Sequence, residues 1–138
     1  MEYALDTNVI SFLLAEKPNV WQNFDETALR GDNMFIPPIV HYEIKKGFYH
    51  QPSPRKENAY NILIRQFPSM QFPVGKMDQD VWEHAARLYA DLRRTGRIVG
   101  DADILIAAFC IVNNYTLVTH NTRHFEGIDG LRIEDWAE

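Results

Sequence analysis

Asp6, Glu43 and Asp103 each stand where an apolar stretch meets a polar one, the kind of place from which a fold gathers carboxylates into one pocket. Asp6 follows Tyr3-Ala4-Leu5 and opens the turn Asp6-Thr7-Asn8, and Glu43 sits in Ile39-Val40-His41-Tyr42-Glu43-Ile44 at the edge of an apolar face. Asp103 follows Arg97-Ile98-Val99-Gly100-Asp101-Ala102 and enters the nearly all-apolar run Ile104 to Phe109. A fourth cluster, His120-Asn121-Thr122, ends the segment Thr116-Leu117-Val118-Thr119. Taken singly, Asp6 serves equally well as a helix cap and Glu43 as a solvated rim. Recurrence of Asp, Thr and Asn at strand ends and helix starts points instead to one convergent polar pocket. Carboxylates brought together repel one another and rise in pKa unless a cation neutralises them. Magnesium or manganese suits such a set, since either takes oxygen ligands and keeps several waters. No His or Cys spacing suits zinc, and Cys110 falls inside the apolar run as core. An ion so held lowers the pKa of an attacking water and steadies charge on a phosphate during in-line displacement.

The elements that would position these residues follow from pattern. Tyr3-Ala4-Leu5 reads as the end of a buried strand, with Asp6-Thr7-Asn8 capping a helix over Val9 to Leu14. Met34-Phe35-Ile36 is a second strand, and Pro37-Pro38 introduces a helix from Ile39 to Gly47, proline being favourable at a helix start. A buried helix runs from Ile104 to Asn113, because a helix apolar all round is a buried one. Asp101 caps it with Asp103 facing inward, or the two exchange roles. Thr116 to Thr119 forms another short strand. Further helices are expected over Asn19 to Arg30, over Lys56 to Phe67 with Ile62, Leu63 and Phe67 as its apolar side, and over Asp80 to Thr95. The last is the clearest: Val81, Ala85, Leu88 and Leu92 recur at helical spacing, and Gly96 stops it. Met70 to Val74 reads as a strand, Gln51-Pro52-Ser53-Pro54 as a loop between helices, and Phe125 to Trp136 as a turn, an edge strand and a packed Trp136. Asp6 then sits at the carboxyl end of a first strand, where open α/β sheets build their sites.

This pattern resembles the PIN-domain ribonucleases, specifically the VapC toxins of type II toxin–antitoxin (VapBC) pairs. The matching residues are Leu5-Asp6-Thr7-Asn8, Tyr42-Glu43-Ile44 followed by Gly47, Asp103-Ile104-Leu105-Ile106-Ala107-Ala108, and Leu117 to Phe125. The resemblance covers essentially the whole chain. It implies a PIN-like three-layer α/β/α sandwich with a mainly parallel sheet, residues 1–138 being a single PIN domain. It also implies a Mg2+- or Mn2+-dependent endoribonuclease. Asp6 and Asp103 are then direct metal ligands, and Glu43 is a ligand or a base orienting the attacking water. Asn121 takes a fourth position that is often Asp in the family, which leaves one ion or two open; two would lie about 3.5–4 Å apart. Thr7, Thr119 and Asn121 donate to carboxylates, water or phosphate around them. A VapB-like antitoxin partner and a homodimer follow from the resemblance alone. So does a tRNA substrate: the run Phe125 to Trp136 is similar to toxins that cut initiator tRNA in the anticodon stem–loop.

Length and composition agree with one globular α/β unit of 138 residues, 46% apolar and 24% charged. A single Cys fits a reducing compartment. No secretory leader pattern or membrane-length apolar run is present, so a cytoplasmic protein without membrane contact is expected. The net charge of −5 sits awkwardly with a polyanionic substrate, since nucleic-acid binders are usually basic. The bases are grouped, however, and two groups adjoin site segments. Arg93, Arg94 and Arg97 precede Asp103, and Arg123 follows Asn121, which makes these four the expected RNA contacts. Aromatic Trp21, Phe24, Phe48, Tyr49, Tyr60 and Trp82 read as core or helix packing, with a partner groove in the first half as the alternative.

Rival readings are weaker on the same residues. A receiver domain would carry an acidic pair before its first helix and a Lys ending its last strand. A haloacid-dehalogenase phosphatase would carry Asp where Asn8 stands. A non-catalytic PIN-like binding module and a DNA-directed nuclease remain as alternatives.

Overall fold

The computed structural model describes residues 1–66 and 77–138. At its centre lies a four-stranded, wholly parallel sheet in the order β2-β1-β3-β4. The strands are β1 (Glu2–Leu5), β2 (Asn33–Phe35), β3 (Thr116–Val118) and β4 (Arg132–Glu134). Among the described residues the helices are α1 (Thr7–Leu14), α2 (Pro18–Leu29), α3 (Pro38–His50), α4 (Pro54–Gln66), α5 (Gln79–Arg94), α6 (Asp101–Asn113) and α7 (Thr122–Phe125). Tyr3 pairs with Met34 on one side and Thr116 on the other, so β1 is central. Tyr3 to Leu5 and Thr116 to Val118 are buried at every position, which requires cover on both faces of the sheet, as parallel sheets generally have. The architecture is the α/β class expected.

The chain runs from β1 outward to β2, returns beside β1 as β3, then continues to β4. Neighbouring β1 and β3 are therefore the strands between which the connections diverge, and the crevice beyond their carboxyl ends is where open α/β sheets place ligands. Asp6 follows β1 and Thr119 follows β3. The backbone is tied there too, with the Asp6 N–H donating to the Val118 carbonyl at 2.9 Å.

Helix α6 is the central strut. Ile104, Ile106, Ala107, Ala108, Phe109 and Cys110 are all buried, as the apolar run requires. Its C-terminal residue hands over to Asn114 in the left-handed region at φ 61°, a conformation Asn tolerates, and Arg132 secures the turn by bonding the Asn114 side chain and carbonyl. Helix α5 presents Val81, Ala85 and Leu92 to the core, and Asp78 caps it by accepting from the Val81 N–H at 3.1 Å. Gly96 stands just beyond it at φ +78°, as a stop there demands. Trp136 is buried and tilts against Tyr3 with ring centroids 5.9 Å apart.

Several expectations shift. The second strand ends at Phe35, with Ile36 buried just beyond it. Helix α3 begins at Pro38 and runs on to His50, so Gly47 does not end it. Neither Asp101 nor Asp103 caps α6: the cap position is Gly100, without a side-chain bond, and both acids lie in the first turn. Ile62 faces outward on α4, where Tyr60 and Leu63 are the buried pair. Tyr49 and Trp82 are exposed; Trp82 packs along its own helix start by donating to the Met77 carbonyl. Lys45 reaches over the Tyr49 ring instead of a neighbouring helix covering it. The strand expected over Met70 to Val74, and Phe67, lie outside the described residues. No helix among the described residues is long and apolar enough to cross a membrane.

Phe109 is fully buried against Tyr115, ring centroids 5.6 Å apart, so Phe109→Ala leaves a cavity at the strut. A loss of about 3–5 kcal/mol in unfolding free energy is expected from urea titration. A loss below about 1 kcal/mol would show that α6 does not anchor the core.

Candidate active site

Asp6 is almost wholly buried, and its carboxylate is spoken for from three sides. The Thr7 N–H donates to Oδ1 at 2.7 Å, which makes Asp6 the cap of α1. Thr119 Oγ1 donates to Oδ2 at 2.8 Å, and Asn8 Nδ2 reaches the same oxygen at 3.4 Å. Capping and site-building are thus one act here: the turn that starts α1 fixes the carboxylate at the end of β1.

Thr119 is fully buried, and its hydroxyl is used completely. It donates to Asp6, and it accepts from the Asn121 N–H at 3.0 Å and from Asn8 Nδ2 at 3.4 Å. Asn8 Oδ1 accepts from the His120 N–H at 3.0 Å, so Asn8 stitches the start of α1 to the end of β3. Glu43 comes from α3 and is oriented by Thr7, whose Oγ1 donates to Oε1 at 2.9 Å. Asp103 comes from the first turn of α6, where Oδ2 meets His124 Nδ1 at 2.8 Å.

Asp6, Glu43, Asp103 and Asn121 line one cleft of about 410 Å³, with Thr7, Asn8, Ser11 and Phe12. Burial raises the Asp6 pKa, the bonds from Thr119 and Thr7 pull it back, and the charges of Asp103 and Glu43 add to the rise. The net direction is upward, because burial outweighs the donors and the neighbouring carboxylates add to it.

That imbalance and an all-oxygen set of side chains suit a hard divalent cation. Among the described residues, no three His, Cys, Asp or Glu side chains stand close enough to cage an ion unaided. Two carboxylates with waters suffice for magnesium, and Asp6, Glu43 and Asp103 reach the cleft from different elements.

The predicted bases are placed less uniformly. Arg97 donates to the carbonyls of Arg123, His124 and Glu126, so its guanidinium clamps the short helix α7. Arg93 lies over the Tyr89 ring at 4.9 Å, and Arg94 pairs with Asp91 at 2.9 Å. Arg123 is exposed at the start of α7, and Asp101 is exposed at the start of α6. Two contributors escaped the sequence reading: Asn8, which was taken only as part of a turn and a matching motif, and His124, which fell inside the matching run Leu117 to Phe125 without a role of its own. Their signal was positional, one residue in the motif beside Asp6 and one a turn after Asn121, but only the fold brings His124 to Asp103.

A second, larger hollow of about 630 Å³ runs between α1, α3 and α4. Ile10, Leu14, Ile44 and Phe48 line it, and it opens onto the acidic cleft through Thr7, Ser11 and Glu43, which border both.

Comparison with known proteins agrees in fold and family. A family model described as the PIN domain matches residues 3–131. The chain is similar to the tRNA(fMet)-specific endonuclease VapC of Shigella flexneri, 33% identical over 138 residues and 99% of each chain. It is 25% identical over 138 residues to Ribonuclease VapC1 of Haemophilus influenzae, spanning both chains completely. Among solved structures, that of VapBC2 from Rickettsia felis bound to a DNA fragment from their promoter superposes with a TM-score of 0.83 at 27% identity, over 99% of each chain.

The raised Asp6 pKa has a sign that stability can test. Between 3.8 and its raised folded pKa, Asp6 keeps a proton in the folded protein that the unfolded chain has lost, so Asp6 costs stability as pH rises through its folded pKa. The difference in Tm between Asp6→Asn and the unsubstituted protein should therefore move in favour of Asp6→Asn between pH 3 and pH 7. A difference moving the other way would mean that the donors around Asp6 outweigh its burial.

Proposed function

Since this chain belongs to the PIN-domain family and to its VapC-type toxin ribonucleases, we propose that it is a divalent-metal-dependent endoribonuclease that cuts tRNA, and that a VapB-like antitoxin silences it. The observation that carries the reading is the convergence of Asp6, Glu43, Asp103 and Asn121, from four separate elements, on one cleft at the carboxyl ends of β1 and β3.

Asp6 and Asp103 would hold the ion, Asp6 fixed by Thr119 and the α1 start, Asp103 by His124. Magnesium or manganese, when bound, lowers the pKa of an attacking water and neutralises charge on the phosphate. Glu43 is a further ligand or the group that orients that water, its carboxylate steadied by Thr7. The Asn121 side chain adds polar contact without charge, and the α1 and α6 N-termini turn their backbone dipoles toward the same anionic ligand.

The apolar hollow beside the cleft offers a place for the antitoxin. A segment laid along Ile10, Leu14, Ile44 and Phe48 would reach Glu43 at one end and close the acidic cleft. The tRNA substrate is taken from the Shigella flexneri relative, with initiator tRNA at the anticodon stem–loop as its narrowest form. A homodimer and a cytoplasmic location complete the reading.

Purified protein incubated with total RNA, with and without magnesium or manganese, and mapped for new 5′ ends is the direct test. A discrete cut that excess chelator abolishes, and that falls at least about 100-fold in Asp6→Asn and Asp103→Asn, is expected. Activity undiminished by chelator would overturn the metal mechanism, and activity surviving in either variant would overturn the site. A folded, metal-bound protein that cuts no RNA would shift the reading to a DNA substrate or a binding module.

A further inference from the structure

A third recess, of about 450 Å³, lies on the other side of α1 and is lined by Phe12, Lys17, Pro18, Asn19, Val20, His120 and Ala137. Phe12 borders both this recess and the acidic cleft, so the two are continuous across one half-buried ring. The size falls within the range of small-ligand sites, about 300–1,000 Å³.

The recess has a built floor and a charged mouth. The His120 backbone N–H is held by Asn8 Oδ1, and its Nδ1 meets Asp135 Oδ2 at 3.0 Å. Asp135 Oδ1 is taken by the Ala137 N–H at 2.9 Å, so both carboxylate oxygens are engaged within the protein. These bonds fix the imidazole edge-on to the Phe12 ring, with centroids 5.6 Å apart and planes at 66°. Lys17 Nζ stands 5.8 Å from the Phe12 centroid. The held imidazole, the half-buried Phe12 ring and the ammonium over it offer the chemistry a nucleotide uses: ring surface for the base and a cation for the phosphate.

We propose that this recess is a nucleotide subsite that receives the residue of the RNA strand next to the phosphate held at the acids. Its base packs on Phe12 and His120, and its phosphate is met by Lys17. The inference rests on the ribonuclease reading above and deepens it. It also answers the charge problem: the acids face the phosphate that an ion neutralises, and the neighbouring phosphate meets Lys17 beside Phe12.

The test measures binding of a fluorescent single-stranded oligoribonucleotide at several salt concentrations, in magnesium, in the non-cleaving Asp6→Asn background. Adding Phe12→Ala should weaken binding about 5- to 100-fold with the salt dependence unchanged. Adding the exposed Lys17→Gln should weaken binding and lower the slope of log K against log salt by about 0.7. Phe12→Leu keeps the apolar volume but loses the π-face; it should bind as weakly as Phe12→Ala while melting like its parent. Affinities within twofold of the parent for all three, while the unsubstituted protein still cuts RNA, would overturn the subsite alone and leave the recess to a protein ligand. A protein that neither binds nor cuts RNA would overturn the subsite together with the reading on which it rests.

Discussion

The structure turns on a buried carboxylate that cannot be left to itself. Asp6 lies at the point where the connections from β1 and β3 diverge, cut off from most water, and an isolated charge there would be very costly. The surrounding elements supply what water would have supplied. The α1 start gives a backbone donor, β3 runs straight into Thr119 as a hydroxyl donor, and Asn8 adds an amide. Those donors only partly offset the burial and the repulsion from Asp103 and Glu43. That unbalanced remainder suits the cation proposed for the site, since a carboxylate fully satisfied by its own protein would have no reason to take one up.

Around that group the fold holds the other acids by tethers of different length. Glu43 depends on a single side-chain bond from Thr7, one residue from Asp6. Asp103 depends on a longer chain, since Arg97 grips the carbonyls of α7, α7 carries His124, and His124 meets Asp103. Helix α7 has four residues and could not hold its position by its own backbone bonds. An arginine bound to its carbonyls, and its own Phe125 buried, make it a support for Asp103. Arg97, expected as an RNA contact, has its guanidinium engaged with these carbonyls.

The acids were legible because each sits next to a strong local signal. Asp6 follows a buried strand, Asp103 opens an apolar helix, and Thr119 ends another strand, so pattern alone brought them to one edge of the sheet. Positions set by tertiary contact were not legible. Nothing local distinguishes the guanidinium of Arg97, which clamps α7, from that of Arg123, which lies exposed at its start. Tyr49 and Trp82 were misjudged for the same reason: an aromatic on a helix is buried only if a partner element covers its face, and none among the described residues does. Asp101 and Asp103 could not be ranked from sequence, because they share the first turn of α6 and only the neighbouring cleft separates their roles.

An acidic protein acting on RNA must discriminate by local arrangement rather than by bulk attraction. With a net charge of −5 it gains little from the long-range steering that basic proteins use, and several of its bases are occupied within the fold. Arg94 answers Asp91, Lys45 answers Glu57, and Arg132 secures the turn at Asn114. Affinity then has to come from short-range contacts made in sequence along one strand. In the arrangement proposed, an ion-neutralised phosphate would lie at Asp6 and Asp103, and the next nucleotide would meet Phe12, His120 and a single ammonium. Such a surface rewards a strand already held in the right bend and gives a random polyanion almost nothing. A structured loop of RNA is therefore the substrate form this charge distribution favours.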